Sequence, residues 1–377
     1  MDKVKHLYVS YKDRKVGTLA LHKDYFVAFE YDKEWLIDGF SISPFSLPLE
    51  KKVFVPKIDP FEGLHGIFSD SLPDGWGRLL VDRLMLNNHI SPREVGNLER
   101  LAIVGLSGMG ALTYQPEKKL LVNNHKEVDL DVLATECSNI LTTEYSEKLD
   151  DLFALGGTSG GARPKILTEI DNEAWIIKFP SQQDGKNIGR QEYEYSLCAK
   201  ECGIEMEETK LFSSQKCEGY FGTKRFDRPP LSDGITDRVH MVSVSGLLET
   251  THRIPNLDYN TLMKLALQLT KSFDEVEKLY RLMCFNVFAH NRDDHSKNFT
   301  FIYDENEMRW KLSPAYDLTY SYSIGGEHAT TVNGNGKNPS EKEVFEVARN
   351  IGFDLKRARL ISEQVQVCVK SRLSEYL

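Results

Sequence analysis

A run of nine polar residues follows an apolar, helix-like segment in the last third of the chain. It reads HNRDDHSKN from His290 to Asn298, after LYRLMCFNVFA. Asp293 and Asn298 are separated by four residues. A carboxylate can orient a hydroxyl and accept its proton, and an amide oxygen can bind a metal ion that bridges phosphates. Lys297 could offset negative charge on a transferred group. The pattern predicts a phosphoryl-transfer site; a solvated loop is the alternative.

A glycine cluster, GGTSGGARPK, spans Gly156 to Lys165. Glycines let backbone N–H groups approach an anion closely, so such a run can cradle phosphate. It is not a Walker A loop, because Ala162 and Arg163 stand where Lys and Ser or Thr would be needed. The alternative is an ordinary turn between strands.

Lys178 ends an apolar, strand-like run, AWIIK. Burying an ammonium group is costly unless it meets an anion, which here could be a nucleotide phosphate or Glu192 on the following helix. The alternative is a lysine that extends to solvent.

Asp317, in LSPAYDLTYS, is a second acid that could complete a metal site, although Leu318-Thr319 follow it where kinases have Phe-Gly. The order of glycine loop, strand lysine, helix glutamate, D-x-x-x-x-N loop and final aspartate is typical of protein kinases.

The elements that must position these residues alternate along the chain. Strands are predicted in the first thirty residues, at 163–170, 173–180, 208–213 and 219–226, with helices at 129–143, 191–202, 258–270, 274–290, 340–351 and 355–375. This order favours an α+β fold with a two-lobed, protein-kinase-like core, a β-rich N-terminal accessory subdomain and a mostly helical C-terminal lobe. We predict an accessory subdomain at 1–115, an N-lobe at 116–240 and a C-lobe at 241–377.

Composition restricts the class of protein. The chain has 377 residues, 41% hydrophobic and 27% charged, as in soluble globular proteins. With 47 basic and 56 acidic residues its net charge is −9, which disfavours an autonomous nucleic-acid binder. No apolar run reaches the roughly 18 residues of a membrane helix, and no signal peptide is evident, so a cytoplasmic protein without membrane contact is expected.

The six cysteines are scattered and contain no CxxC pair. They predict free thiols in a reducing compartment, and the sequence does not suggest a structural zinc site.

At these motifs the chain resembles the HipA family of Ser/Thr kinases, the toxin halves of bacterial toxin–antitoxin pairs. The matching segments are SGGARPK, WIIKFP, QEYEYSLCAKECGI, TKRFDR, HNRDDHSKNFTF and LSPAYDLTYS, with SISPFSLPL, FSDSLPDGWGR and VGLSGMGALTY in the part that resembles the family's accessory domain. The resemblance thus covers nearly all of the chain.

The resemblance implies ATP and Mg²⁺ as cofactors, Asp293 as the catalytic aspartate, and Asn298 and Asp317 as the metal ligands. Lys178 would contact the nucleotide phosphates, and the backbone of 224–226 would form the adenine-binding hinge. At Lys224 the family has Glu, so a side-chain acceptor is lost there. The full implied nucleotide-binding set is Gly160, Gly161, Ala162, Arg163, Pro164, Lys165, Lys178, Lys224, Arg225, Phe226, His295, Lys297, Asn298, Tyr316 and Asp317.

The resemblance also implies regulation and partners. Autophosphorylation of a hydroxyl in the glycine loop, Thr158 or Ser159, would silence the enzyme. The expected partner is a HipB-like helix-turn-helix antitoxin, with operator DNA contacted only indirectly through it. The protein substrate could be an aminoacyl-tRNA synthetase, but no residue selects one.

Two other functions stay open. A metal-dependent phosphohydrolase could use His290, Asp293, Asp294 and His295, whose donor atoms suit a transition metal. A catalytically silent protein could instead bridge an antitoxin and DNA as a corepressor.

Overall fold

The computed structural model describes residues 3–23, 25–119, 129–142, 148–231 and 236–377. The strands are β1 (His6–Tyr11), β2 (Arg14–His22), β3 (Phe26–Tyr31), β4 (Val53–Phe54), β5 (Leu112–Gln115), β6 (Lys165–Ile170), β7 (Glu173–Lys178), β8 (Thr209–Phe212), β9 (Tyr220–Lys224), β10 (Met241–Ser243), β11 (Leu257–Asp258), β12 (Thr300–Asp304), β13 (Arg309–Leu312) and β14 (Thr330–Thr331). The α-helices are α1 (Trp35–Asp38), α2 (Gly66–Ser71), α3 (Gly75–Asn87), α4 (Asn97–Val104), α5 (Leu130–Thr142), α6 (Leu149–Gly156), α7 (Ile188–Glu201), α8 (Val244–Leu248), α9 (Tyr259–Thr270), α10 (Phe273–Phe288), α11 (Glu341–Ile351) and α12 (Leu355–Arg372).

The chain divides into two compact units. The first contains residues 1–189, 211–242 and 246–250, and the second contains 190–210, 243–245 and 251–377. The first unit therefore includes the predicted accessory subdomain and most of the predicted N-lobe.

An antiparallel sheet, ordered β4-β3-β2-β1-β5, occupies the N-terminal part of the first unit. Alternate residues of β1, such as Leu7 and Val9, are buried, because successive side chains of a strand point to opposite faces. This confirms the strands predicted in the first thirty residues.

A second sheet, ordered β6-β7-β9-β8, carries the glycine-loop lysine and the strand lysine. β6 and β7 form an antiparallel pair across the turn at Asp171 and Asn172, both with positive φ. In this register Lys165 faces Lys178. The turn thus places the end of the glycine loop beside the end of the lysine strand.

One hydrophobic core extends from α3 to this second sheet. Its buried members include Trp76 and Leu80 from α3, and Ile166, Ile177 and Phe179 from the sheet segment. The N-terminal region and the glycine-loop sheet are consequently packed around the same apolar interior.

The second unit is mainly helical, with α10 packed against α9 and α12. The Asp258 and Ser272 side chains cap α9 and α10, and Ser340 begins α11 with a reciprocal capping box to Glu343. Residues on several sides of α10 are buried, so it is a central helix. The four helices predicted in this region are confirmed, with ends that differ by up to three residues.

No helix in the described ranges is both long and apolar enough to cross a membrane.

Candidate active site

The polar loop after α10 is fixed at its start by buried hydrogen bonds. The Asn291 side chain donates to Asn286 Oδ1 at 2.9 Å, and the Asn286 side chain donates to the Tyr259 hydroxyl at 2.9 Å. The Tyr195 hydroxyl, on α7, donates to the carbonyl oxygen of Ala289 at 2.8 Å. These buried hydrogen bonds therefore hold the start of the loop in place at the end of α10.

Asp294 is the buried anchor of the loop and is 1% exposed. Its Oδ2 accepts hydrogen bonds from the Tyr259 hydroxyl at 2.9 Å and from His328 Nδ1 at 3.0 Å. Its Oδ1 accepts from the backbone N–H of Thr330 at 3.1 Å. Both carboxylate oxygens are used structurally, and burial raises the pKa of Tyr259, which keeps this phenol a donor.

The carboxylate of Asp293, which precedes Asp294 in the sequence, is exposed and not buried. The Asp293 side chain is 61% exposed, and its Oδ1 lies 3.9 Å from His295 Nε2. Asn298 donates through Nδ2 to the backbone oxygen of Asp293 at 2.7 Å. The amide nitrogen of Asn298 therefore holds the backbone of Asp293 in place. The amide oxygen of Asn298 is the other polar atom of this side chain and is not used in that bond.

The transition-metal alternative is weakened by this geometry. Among the described residues, His290, Asp293, Asp294 and His295 do not bring three ligand atoms within 4.8 Å of one another. The Nδ1 atom of His295 accepts a hydrogen bond from the backbone N–H of Lys297 at 3.2 Å.

Tyr316 links the segment of the final aspartate to the polar loop. Its hydroxyl donates to the carbonyl oxygen of Lys297 at 2.6 Å and accepts from Thr300 Oγ1 at 2.6 Å. Asp317 follows with a φ of 59°, an uncommon conformation for a residue other than glycine. The residues beside Asn298 and Asp317 are therefore joined through one phenol oxygen.

In the first unit, the glycine loop is held by the start of α3. The carboxylate of Asp74 accepts a hydrogen bond from the backbone N–H of Gly161, and the N–H of Trp76 donates to the oxygen of Gly161 at 2.9 Å. A Cβ atom at Gly75 would overlap Gly161 O, and Gly75 has a φ of +45°. Asp74 directly precedes α3, but its side chain makes no capping bond to that helix. The carboxylate contacts the glycine loop instead.

The two hydroxyls of the glycine loop differ in accessibility. Ser159 is 1% exposed, and its Oγ donates to the oxygen of Gly156 at 2.6 Å. Thr158 is half-buried, and its Oγ1 donates to the oxygen of Ser107 at 3.0 Å.

The remaining loop residues lead into the second sheet. Lys165 is buried and donates through Nζ to the oxygen of Gly160 at 2.6 Å, which closes the loop on itself. Arg163 pairs with Asp184, with Nε and Oδ2 3.3 Å apart. The Nζ atom of Lys178 lies 5.6 Å from the centre of the Phe221 ring. Ala162 is exposed, and the oxygen of Pro164 accepts from the N–H of Phe179 at 2.8 Å.

The proposed hinge continues β9. Lys224 Nζ pairs with Glu173 Oε1 at 2.7 Å, and the N–H of Arg225 donates to the oxygen of Ala174 at 2.9 Å. The Arg225 N–H is thus engaged in the sheet, so an adenine contact would use another backbone group of Lys224–Phe226.

Arg225 also belongs to a buried ionic cluster. It makes two hydrogen bonds to Asp227, at 2.9 and 2.8 Å, and Arg228 Nη1 contacts the same carboxylate at 2.9 Å. The N–H of Gly110 donates to Asp227 at 2.7 Å. Burial opposes the charge of Asp227, but the two guanidinium groups outweigh it and lower its pKa to about 2.

The structure brings the expected residues together in two sets. The first unit holds the glycine loop, Lys178 and 224–226, and the second holds Asp293, His295, Lys297, Asn298, Tyr316 and Asp317. Asp74 and the partners of Asp294 were not predicted as site residues. The run Asp-Gly-Trp-Gly at 74–77 is the sequence feature that could have indicated Asp74. The polar segment after Glu327 is the one that could have indicated the partners of Asp294.

Two family models match the chain. The model for the HipA-like C-terminal domain matches residues 157–373, and the model for the HipA N-terminal domain matches residues 7–115. The chain belongs to the HipA family. Both halves of the HipA pattern are therefore present in one polypeptide.

Curated relatives of this HipA-family chain are similar over most of its length. The protein Y4dM of Sinorhizobium fredii (strain NBRC 101917 / NGR234), whose name describes it as a candidate kinase, is 25% identical over 88% of this chain and 81% of its own. Y4mE of the same strain, described in the same way, is 24% identical over 84% of this chain and 77% of its own.

A solved structure has the same fold. HipA of Shewanella oneidensis MR-1, determined with HipB and its operator DNA, matches with a TM-score of 0.74 and 17% identity. The match covers 98% of this chain and 90% of that chain. The predicted kinase-like α+β fold of the HipA family is confirmed.

Proposed function

We propose that this HipA-family protein is an ATP-dependent Ser/Thr protein kinase that acts as the toxin of a toxin–antitoxin pair. The observation that carries the proposal is the arrangement of the second unit. Asp293 is exposed on the polar loop, and Asn298 of the same loop donates a hydrogen bond to the backbone of Asp293. The hydroxyl of Tyr316 links the segment that contains Asp317 to this loop by a hydrogen bond. Kinase chemistry needs these three groups and little covalent participation by the protein.

Each side chain has a role consistent with its environment. Asp293 is exposed on a rigid loop, so it is suited to orient an acceptor hydroxyl and to take its proton. Lys178 and the glycine loop, in the first unit, would bind nucleotide phosphates through a cation and backbone N–H groups. Positioning and electrostatic stabilisation supply the rate enhancement in such transfers.

The donor set of the second unit fits Mg²⁺. An amide oxygen from Asn298 and a carboxylate from Asp317 are hard ligands of the type that Mg²⁺ binds together with phosphate oxygens. When bound, the ion would neutralise charge on the phosphates. Asn298 and Asp317 would hold it, and Tyr316 would position their segments.

The decisive experiment is incubation of the purified chain with Mg²⁺ and ATP, followed by intact-mass measurement. Wild type is compared with Asp293→Asn and with Glu305→Gln, an exposed acid outside the loop that serves as control. A gain of phosphate in wild type and in Glu305→Gln, but not in Asp293→Asn, is expected. The chain must first be shown to carry no phosphate, since a loop already modified would block the reaction.

Equal turnover by Asp293→Asn would contradict the assignment of the catalytic aspartate. Failure of the unphosphorylated chain to bind ATP, measured by calorimetry, would favour the alternative, a silent corepressor that bridges an antitoxin and DNA.

The toxin role extends the proposal to partners. The Shewanella HipA structure contains HipB and operator DNA, and by analogy the partner here is a HipB-like helix-turn-helix antitoxin. The net charge of −9 supports DNA contact through that antitoxin and not by the chain alone. In a gel-shift assay the chain alone should not shift operator DNA, whereas it should add to the shift caused by its antitoxin. A shift by the chain alone at physiological salt would oppose this view.

The substrate is proposed to be a protein hydroxyl, with an aminoacyl-tRNA synthetase as one candidate. Phosphoproteomic comparison of cells that express wild type and Asp293→Asn would identify it as a site modified only by wild type.

A further inference from the structure

Three thiols that are distant in the sequence meet in the second unit. Cys198 and Cys202 lie one turn apart on α7 and its C-terminal end, and Cys368 projects from α12. The three sulfur atoms are all within 4.8 Å of one another, and Cys198 Sγ and Cys368 Sγ are 3.8 Å apart. No CxxC pattern marks these cysteines, because Cys198 and Cys202 have the i, i+4 spacing of a helix and the third thiol comes from α12.

The spacing of these sulfurs is that of ligands around one ion. Zinc–sulfur bonds are about 2.3 Å long, and a tetrahedral site therefore separates its sulfurs by about 3.8 Å. A disulfide would require about 2.05 Å between the two sulfurs. The Cys198–Cys368 distance thus matches the tetrahedral separation and is too long for a disulfide.

A carboxylate and a surface groove lie beside Cys368. Glu201 Oε2 lies 4.0 Å from Cys368 Sγ, and the same carboxylate pairs with Arg372. A surface groove of about 470 Å³ runs along this side of α12, with Glu201, Gln364 and Cys368 in its lining. Cys198 and Cys202 are buried while Cys368 is half-buried, so an ion can reach the cluster from the groove.

We propose that Cys198, Cys202 and Cys368 form a binding site for a thiophilic metal ion, with Zn²⁺ as the expected occupant. Three soft thiolates select Zn²⁺ or Cu⁺ over Mg²⁺ and Ca²⁺. Each thiol loses its proton to solvent when its sulfur binds the ion, and Glu201 or a water completes four-coordination.

A bound ion would link α7 to α12 through its cysteine ligands. Helix α12 packs against α10, which leads into the polar loop, and α7 anchors that loop through Tyr195. Binding to the folded state alone raises stability with the ratio of metal concentration to Kd. The site is therefore structural in character and separate from Asn298 and Asp317.

The test is metal titration of the full chain, reduced and then freed of the reductant. Zn²⁺ is titrated in competition with a chromophoric chelator, and Co²⁺ is used as a spectroscopic probe of thiolate ligation. The variants are Cys368→Ser, which is half-buried and should fold, Cys202→Ser, and Cys217→Ser as a control cysteine outside the cluster. Circular dichroism establishes that each variant is folded.

We expect one Zn²⁺ per wild-type chain and a Co²⁺ complex with sulfur-to-metal charge-transfer absorption. Affinity should fall at least tenfold in Cys368→Ser and in Cys202→Ser, and stay unchanged in Cys217→Ser. Thermal unfolding of wild type should shift upward with Zn²⁺. Because these readouts are independent of phosphotransfer, they remain informative if the kinase proposal fails.

Absence of stoichiometric Zn²⁺ binding by wild type would overturn the proposal. So would a Co²⁺ complex without thiolate absorption, or equal affinity in folded Cys368→Ser. A mass loss of two hydrogens on mild oxidation that added Zn²⁺ fails to prevent would show a thiol pair that forms a disulfide in place of a metal site.

Discussion

The hydroxyl of Tyr316 donates a hydrogen bond to the carbonyl oxygen of Lys297 at 2.6 Å. This bond joins the segment that leads to Asp317 to the residue before Asn298. The segments of the two proposed metal ligands are therefore linked by one hydrogen bond. We propose that Tyr316 positions these segments, in addition to the nucleotide contact that the resemblance implies.

Tyr316→Phe should slow phosphotransfer while the protein stays folded. The change leaves the oxygen of Lys297 and the hydroxyl of Thr300 without this partner, at a cost of about 1–3 kcal/mol. If this free-energy cost raises the barrier to phosphotransfer by displacing the proposed metal ligands, kcat drops about tenfold to a hundredfold. Steady-state kinetics at varied Mg²⁺ should show a raised Mg²⁺ requirement. Tyr322→Phe, at an exposed tyrosine, is the control and should be neutral.

Asp74 should influence nucleotide affinity from within the N-terminal region. Its carboxylate occupies the N–H of Gly161, a donor that a phosphate would use. Asp74→Asn keeps an acceptor oxygen and removes the charge, which relieves repulsion of about 1 kcal/mol and should tighten ATP binding about fivefold. Asp74→Ala removes the acceptor as well and releases the N–H of Gly161 for a phosphate, so it should also tighten binding. Calorimetric titration with ATP checks both.

The exposed Asp38→Asn variant is the control for Asp74 and should leave ATP affinity unchanged. If Asp74→Asn and Asp74→Ala weaken binding equally, the negative charge itself is needed and competition with phosphate is the wrong explanation.

Autophosphorylation should occur at Thr158. Its half-buried hydroxyl contacts one carbonyl oxygen, whereas Ser159 is enclosed and would require the loop to open first. A phosphate adds about −1.5 to −2 charges to a loop that would bind the phosphates of ATP, so modification should abolish nucleotide binding. Phosphopeptide mapping should find Thr158, and Thr158→Ala should abolish the mass gain while Ser159→Ala retains it. The reverse pattern would assign the site to Ser159.

Asp227 should make stability depend on pH in the acid range. Its folded pKa of about 2 lies below the ordinary value of 3.8, so its contribution is present above pH about 4 and is lost as the pH falls towards 2. The difference corresponds to about 2 kcal/mol. Urea unfolding of wild type between pH 7 and 2 should show the decline, and Asp227→Asn should flatten it.

At pH 7, Asp227→Asn should also destabilise the chain by about 3–5 kcal/mol, because Arg225 and Arg228 lose a buried counter-charge. Asp237→Asn removes a partly exposed partner of Lys12 and should cost less than about 1 kcal/mol. Equal effects of the two substitutions would refute a special role for the buried cluster.

Local patterns in the sequence were sufficient for most elements of the fold. The alternation of apolar and polar residues in β1 can be recognised within a few residues of sequence. The same holds for the capping residues and the apolar periodicity of α9 and α11. The helix Leu149–Gly156 was not predicted, because its apolar residues run directly into the glycine cluster.

Contacts between distant segments could not be read from periodicity. The segment 328–340 is rich in Gly and Asn, as loops are, yet His328 and Thr330 are buried against Asp294. Adjacent acids therefore have different environments, with Asp293 exposed and Asp294 buried. The spacing to Asn298 selects Asp293 in the sequence, but the burial of Asp294 depends on partners from distant segments.

The core shared by α3 and the glycine-loop sheet limits how far this chain can be shortened from its N-terminal side. Trp76 fills space beside Ile166 and Ile177, and its indole N–H bonds to the oxygen of Lys165 at 3.1 Å. A truncated chain that began after residue 115 would lose this side chain and expose an apolar surface around the phosphate loop. Separating the segment 157–373 from the segment 7–115 would therefore remove part of the apolar packing of the glycine-loop sheet.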